Sequence, residues 1–104
     1  MITYCFDLDG TLCTNTEGDY IKALPFIYRI EKVNALYDEG NTILIDTARG
    51  STTGIDWEEK TREQLLNWGV KFHKLRAGKK LEADVFIDDK GVNDLSFFND
   101  KTIQ

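Results

Sequence analysis

The chain predicts an α/β domain built on a parallel sheet with helices on both faces. Three observations lead there. Short apolar runs alternate along the sequence with segments of helical spacing, the pattern of strands joined by helical crossovers. Three of those runs end in an acid: Tyr4-Cys5-Phe6-Asp7, Ile43-Leu44-Ile45-Asp46 and Val85-Phe86-Ile87-Asp88. Finally, 104 residues that are 41% hydrophobic suffice for one core but leave no room for a second, substrate-covering domain. Parallel strands bring their carboxyl ends to one edge, where open α/β sheets bind ligands. The repeated acid therefore points to one site, since unrelated turns have no reason to share it.

Each element has its own warrant. Ile2-Thr3-Tyr4-Cys5-Phe6 is rich in β-branched and aromatic residues and reads as a buried strand. The polar loop over residues 10–25 contains Asn15, Gly18 and Asp19 and exceeds the usual connection length, which suggests a functional flap, with Tyr20 folding back toward the site. Pro25 suits the first turn of a helix, and Ile27, Ile30, Val33, Leu36 and Tyr37 repeat at helical spacing up to Gly40, so a helix is expected over 25–39. Thr42-Ile43-Leu44-Ile45 is the second strand. After a polar loop, Asp56 with Glu59 makes a capping box for a helix over 57–68, ended by Gly69. Residues 70–75 alternate and read as a third, less buried strand. A basic turn, 76–80, leads to the fourth strand over 83–87. The tail from Val92, with Leu95, Phe97 and Phe98, is expected as a short helix or turn over the sheet edge.

The net charge of −5 argues against a nucleic-acid partner, because backbone phosphates require a basic surface. It also means that an anionic substrate must be held by local cations. Cys5 and Cys13 are the two cysteines, and no segment resembles a signal peptide or reaches membrane length. Both read as free thiols of a cytoplasmic protein.

Asp7 and Asp9 lie two residues apart where the first strand stops, so their side chains can face one small volume. Two such anions need a cation or a shared proton. Mg²⁺ suits one or two carboxylates together with a phosphate. Asp-x-Asp-Gly is also an ordinary polar turn, with Gly10 supplying the positive φ, and only the other two strand ends argue against that plainer reading. A carboxylate at Asp7 can attack phosphorus, splitting one hard transfer into two easier steps. Asp9 can donate a proton to the leaving oxygen and then activate water. Asp88 and Asp89 offer further oxygens to the metal. At about 4 Å two like charges repel by roughly 4 kcal/mol at an effective dielectric near 20, about a thousandfold in rate, so metal and lysine are required partners. Thr47 can hold phosphate oxygens, and Lys80 or its neighbour Lys79 can bridge nucleophile and phosphate. Arg49 either grips a phosphate or carboxylate bidentately or is a solvated loop residue. Lys90, His73 and Asp46 read as structural or surface groups.

The set Asp7-Leu8-Asp9-Gly10-Thr11-Leu12, Thr47-Ala48-Arg49, Lys80 and Asp88-Asp89 resembles the haloacid dehalogenase-like phosphohydrolase superfamily over residues 2–90. The resemblance implies a three-layer Rossmann-like sheet of order 3-2-1-4 and a Mg²⁺-dependent phosphatase acting through an aspartyl-phosphate. It implies Asp7 as nucleophile, Asp9 as acid/base and Lys80 as charge-steadying lysine. Leu8, Thr47, Ala48 and Arg49 would form the phosphate-binding set. The metal would be held by Asp7, the Asp9 carbonyl and Asp88, with Asp89 nearby. Two features depart from the pattern: Leu81 stands where a Pro usually follows the lysine, and Asp46 replaces the usual apolar residue before Thr47. Both places where this superfamily inserts cap domains are short, so the resemblance is to a capless member. Its open site would either accept a bulky substrate or be closed by a second subunit, as in a homo-oligomer. Sugar phosphates fit the acidic charge better than polynucleotides. The alternatives are a non-catalytic module that binds Mg²⁺ or a phosphorylated partner, and a phospho-acceptor receiver domain, whose order of acidic motifs is the reverse of this one.

Overall fold

Strands β1 (Thr3–Asp7), β2 (Thr42–Thr47), β3 (Lys74–Ala77), β4 (Val85–Asp88) and β5 (Val92–Asn93) form one sheet of order β3-β2-β1-β4-β5, and every neighbouring pair is parallel. Helices α1 (Ile27–Asp38) and α2 (Trp57–Asn67) connect β1 to β2 and β2 to β3. The structure, a computed structural model, describes residues 1–49, 57–77, 85–88, 92, 93, 97 and 98, with the backbone alone at 77, 85, 86, 88, 92 and 93.

The apolar core lies on the sheet face that carries Phe6, Ile43, Ile45, Leu75 and Ile87, against Ile30 and Val33 of α1 and Leu65 of α2. The register explains this: Phe6 pairs with both Ile45 and Ile87, and Ile45 with Leu75, so alternate residues of four strands form one apolar layer. Cys5 and Leu44 alternate onto the opposite face and are buried too, but outside that layer. The expected helices on both faces are thus seen on one among the described residues. Phe97 and Phe98 pack over Phe6 with ring centroids 5.8 and 6.0 Å away, closing the layer beside β1. Arg29 of α1 is fully buried, its guanidinium 4.8 Å from the Phe98 ring and 5.5 Å from the Phe26 ring. Arg29 also donates to the Thr11 carbonyl at 2.9 Å, tying α1 to the turn after β1.

Several boundaries differ from the sequence expectation, each for a physical reason. Pro25 does not open α1: it pairs antiparallel with Cys13, and the helix begins at Ile27 with Phe26 as an N-cap that makes no side-chain cap bond. The third strand begins at Lys74, because His73 accepts the Ile43 N–H on its Nδ1 at 3.0 Å and donates its own N–H to the Ile43 carbonyl at 2.8 Å, filling the ladder position with a side chain. His73 stacks on Tyr37 at 4.6 Å, a structural role as expected. In the tail, Val92–Asn93 pairs with β4 as an edge strand, which was not expected, while Phe97 and Phe98 are helical and lie over the sheet as expected. Asp56, the loop 51–55 and the basic turn from Gly78 to Lys80 lie outside the described residues, as does Leu95. No helix among the described residues is long and apolar enough to cross a membrane.

Candidate active site

The carboxyl ends of β1, β2 and β4 are neighbours. Asp7 pairs in register with Asp46, and Phe6 with Ile87, so Asp7 and Asp88 follow paired residues at the ends of adjacent parallel strands. This is the edge on which the three acids were expected to meet. The donor chemistry there, hard carboxylate oxygens from separate strands, fits Mg²⁺. Among the described residues no group of three or more His, Cys, Asp or Glu side chains is placed to hold a metal. Asp89, Lys79, Lys80 and Lys90 lie outside the described residues, as does the side chain of Asp88.

Beyond Asp7 the chain turns at once. The Leu8 carbonyl accepts the N–H of Thr11 at 3.1 Å and of Leu12 at 2.9 Å, while Gly10 N–H donates to the Cys13 carbonyl at 2.8 Å. Gly10 sits at φ +86° with nothing within 4 Å of where a Cβ would stand, so conformation and not crowding calls for glycine. Leu8 is fully buried, and its carbonyl is spent on the turn. Asp9 therefore leaves the sheet inside a tight turn, and strand alternation does not govern where it points.

Asp9 points to Arg49. The guanidinium grips the carboxylate bidentately, Nη2 donating to Oδ1 at 2.7 Å and Nε to Oδ2 at 3.0 Å. Nη1 donates to Gln64 Oε1 at 2.7 Å and Thr61 Oγ1 at 3.3 Å, and Nη2 donates a second time to Cys13 Sγ at 3.8 Å. Arg49 carries five N–H donors, and these five contacts use them all. It is 3% exposed and lies 4.6 Å over the Tyr20 ring. The expected phosphate grip by Arg49, and its reading as a solvated loop residue, both give way to this: it is a buried anchor for Asp9. Tyr20 does fold back, and its carbonyl accepts Gln64 Nε2 at 2.9 Å, so flap, α2 and Asp9 form one network.

Thr47 is 3% exposed; its Oγ1 accepts the Arg49 backbone N–H at 3.1 Å, which leaves the hydroxyl proton to donate. Ala48 between them is exposed. Cys13 is fully buried and its Sγ donates to Asp9 Oδ1 at 3.5 Å. Burial first, and the Asp9 charge second, push its thiol up to about 12, with Arg49 partly opposing. Cys5 and Cys13 are not joined in a disulfide. Asp46, half-buried beside Asp7, has its carboxyl raised above the usual range by burial, partly offset by the Thr47 backbone N–H.

Sequence reasoning missed Thr61, Gln64 and Cys13. The available signal was weak: Thr61 lies three residues before Gln64 and four before the buried Leu65, on one side of α2. Nothing in the sequence links that face to Asp9.

No family model and no curated protein matches the chain. Among solved structures, the chain is similar to a crystal structure of a protein from Vibrio cholerae, with TM-score 0.75 and 28% identity over 97% of this chain and 90% of that one. It is also similar to a conserved protein from Bacteroides thetaiotaomicron, with TM-score 0.69 and 20% identity over 94% of this chain and 87% of that one. Both likenesses span nearly the whole of each chain, and what the chain shares with these proteins is this small α/β fold.

Proposed function

We propose that the protein is a Mg²⁺-dependent phosphomonoester hydrolase of the haloacid dehalogenase-like type, cytoplasmic and capless, acting on a small phosphorylated metabolite through an aspartyl-phosphate. The observation that carries this reading is the meeting of Asp7, Asp46 and Asp88 at the ends of three adjacent parallel strands, with Asp9 anchored one turn beyond. The sheet order with β1 between β2 and β4 is also the one this reading requires. Asp7 attacks phosphorus, the ester bond to the leaving oxygen breaks, and the phosphoryl group passes to the carboxylate. Asp9 supplies the leaving oxygen with a proton and then takes one from the water that hydrolyses the acyl phosphate. Of its two oxygens, Oδ1 accepts from both Arg49 and Cys13, whereas Oδ2 accepts from Arg49 Nε; Oδ2 thus retains a lone pair for the proton. Thr47 donates its hydroxyl to a phosphate oxygen, backed by the N–H groups near Leu8 and Ala48, and Lys80 steadies the accumulating charge. Asp7, the Asp9 carbonyl, Asp88 and Asp89 would hold Mg²⁺, which when bound offsets repulsion between carboxylate and phosphate.

Beryllofluoride tests this, since it forms an acyl-phosphate mimic on a reactive aspartate. The expected result is a bound ¹⁹F resonance that requires Mg²⁺ and vanishes in Asp7→Asn. A resonance that persists in that variant, or none at saturating Mg²⁺ in the wild-type protein, contradicts the assignment of Asp7. The second reading, a non-catalytic module, would be favoured if phosphorylated ligands raise the melting temperature while a broad panel of phosphate esters is left intact.

A further inference from the structure

Arg49 also lines a cleft of about 420 Å³, together with Tyr20, Trp57, Trp68, Lys60, Glu63 and Asn67. We propose that this cleft is a saccharide subsite that receives the part of the substrate carrying the phosphate. Its place in a reaction rests on the phosphatase reading above; binding of the sugar itself does not.

The size falls in the range of small-molecule sites. The lining combines aromatic surface with a few separate hydrogen-bonding groups, which is what a ring with C–H faces and a rim of hydroxyls requires. The chain has two tryptophans, and both are here. Trp57 meets Tyr20 edge to face, with centroids 5.1 Å apart and planes at 84°. These two rings stand nearly at right angles, so they do not form the parallel pair that sandwiches a nucleobase. Polar capacity is spread around it: Lys60 offers donors, Glu63 acceptors and Asn67 both. Lys60 lies 5.2 Å over the Trp57 ring.

The charge balance narrows the ligand further. Lys60 and Glu63 contribute one charge of each sign, and Arg49 is matched by Asp9. Among the described residues the cleft therefore has no spare cation for a second phosphate, so a nucleoside diphosphate is disfavoured and an uncharged polyhydroxy ring is suited. Arg49 belongs to both places: it lines the cleft and holds the carboxylate assigned to proton transfer. Tyr20 links the two places, its ring 5.1 Å from that of Trp57 and 4.6 Å beneath the Arg49 guanidinium.

Because both tryptophans line the cleft, their two indole N–H signals in a ¹H–¹⁵N spectrum report on it. Free hexoses, N-acetylhexosamines and hexitols are titrated into the wild-type protein at millimolar concentration, with nucleosides and inorganic phosphate in parallel. The expected result is a saturable shift of the Trp57 indole with at least one sugar and none with nucleosides. Asn67→Ala, a change at an exposed position that should not disturb folding, is expected to weaken that binding about tenfold, the loss of one side chain's hydrogen bonds. Sugars that move neither indole, nucleosides that move them while sugars do not, or an unaltered affinity in Asn67→Ala would overturn the proposal. A sugar that binds in this way to a protein that hydrolyses no phosphate ester would uphold the subsite and defeat the phosphatase reading instead.

Discussion

Five N–H groups of Arg49 are spent on Asp9, Cys13, Thr61 and Gln64, in a side chain that is almost wholly buried. Such a pair matters most when it is broken, because the surviving charge is left in a poor solvent. Arg49→Met is expected to destabilise the fold by about 2–3 kcal/mol in urea unfolding, below the figure for a fully buried pair because the Asp9 side chain is 19% exposed and can partly rehydrate. Arg49→Lys should recover only part of that, since an ammonium cannot reproduce the bidentate fork. Equal stability of wild type and Arg49→Met would mean that the pair does not hold Asp9. Asp46 gives a prediction of opposite sign. Burial raises its carboxyl above the ordinary value of 3.8, so the fold prefers the protonated form. Its contribution is most favourable below the ordinary carboxylate range and is lost as pH rises through the raised folded value. Asp46→Asn should therefore raise the urea midpoint at pH 7, and the gain should shrink as pH falls through the raised folded value and vanish below the ordinary 3.8. A gain that persists unchanged into acid would assign the effect to something other than the charge.

Among the elements, the strand centres were legible because apolar runs bounded by turn residues have few other readings: Tyr4-Cys5-Phe6 and Ile43-Leu44-Ile45 lie inside β1 and β2. The ends were less so. Pro25 fits a helical first turn by local preference, but the bridge to Cys13 claims it, a contact that forms only once the loop has closed. The two-residue β5 has no periodicity to read. Asp9–Arg49 joins residues forty apart in sequence, and no local pattern encodes such a pairing. Helix α2 deserves a separate test because it serves both core and site. Leu65 is fully buried against the sheet while Thr61 and Gln64, on the same side, hold Arg49. Leu65→Ala is expected to cost about 2–5 kcal/mol, as other buried leucine truncations do. Gln64→Ala should cost less, about 1–2 kcal/mol, since it removes hydrogen bonds to Arg49 and to the Tyr20 carbonyl without opening a core cavity. If the smaller change proved the costlier one, the network and not the core would dominate α2.

The molecule as a whole carries a net charge of −5 and gathers acids at the carboxyl edge of its sheet. That arrangement repels a phosphate ester unless a cation intervenes, which makes metal dependence the property that separates an active site from a row of acidic turns. The protein's likeness in fold to the Vibrio cholerae and Bacteroides thetaiotaomicron structures leaves that question to chemistry. The most direct measurement is release of p-nitrophenol from p-nitrophenyl phosphate by the purified protein, with Mg²⁺, with excess EDTA, and with Asp7→Asn. The account predicts turnover that EDTA abolishes, that added Mg²⁺ restores, and that Asp7→Asn lowers by about a thousandfold or more. Hydrolysis that continues both in EDTA and in Asp7→Asn would contradict it.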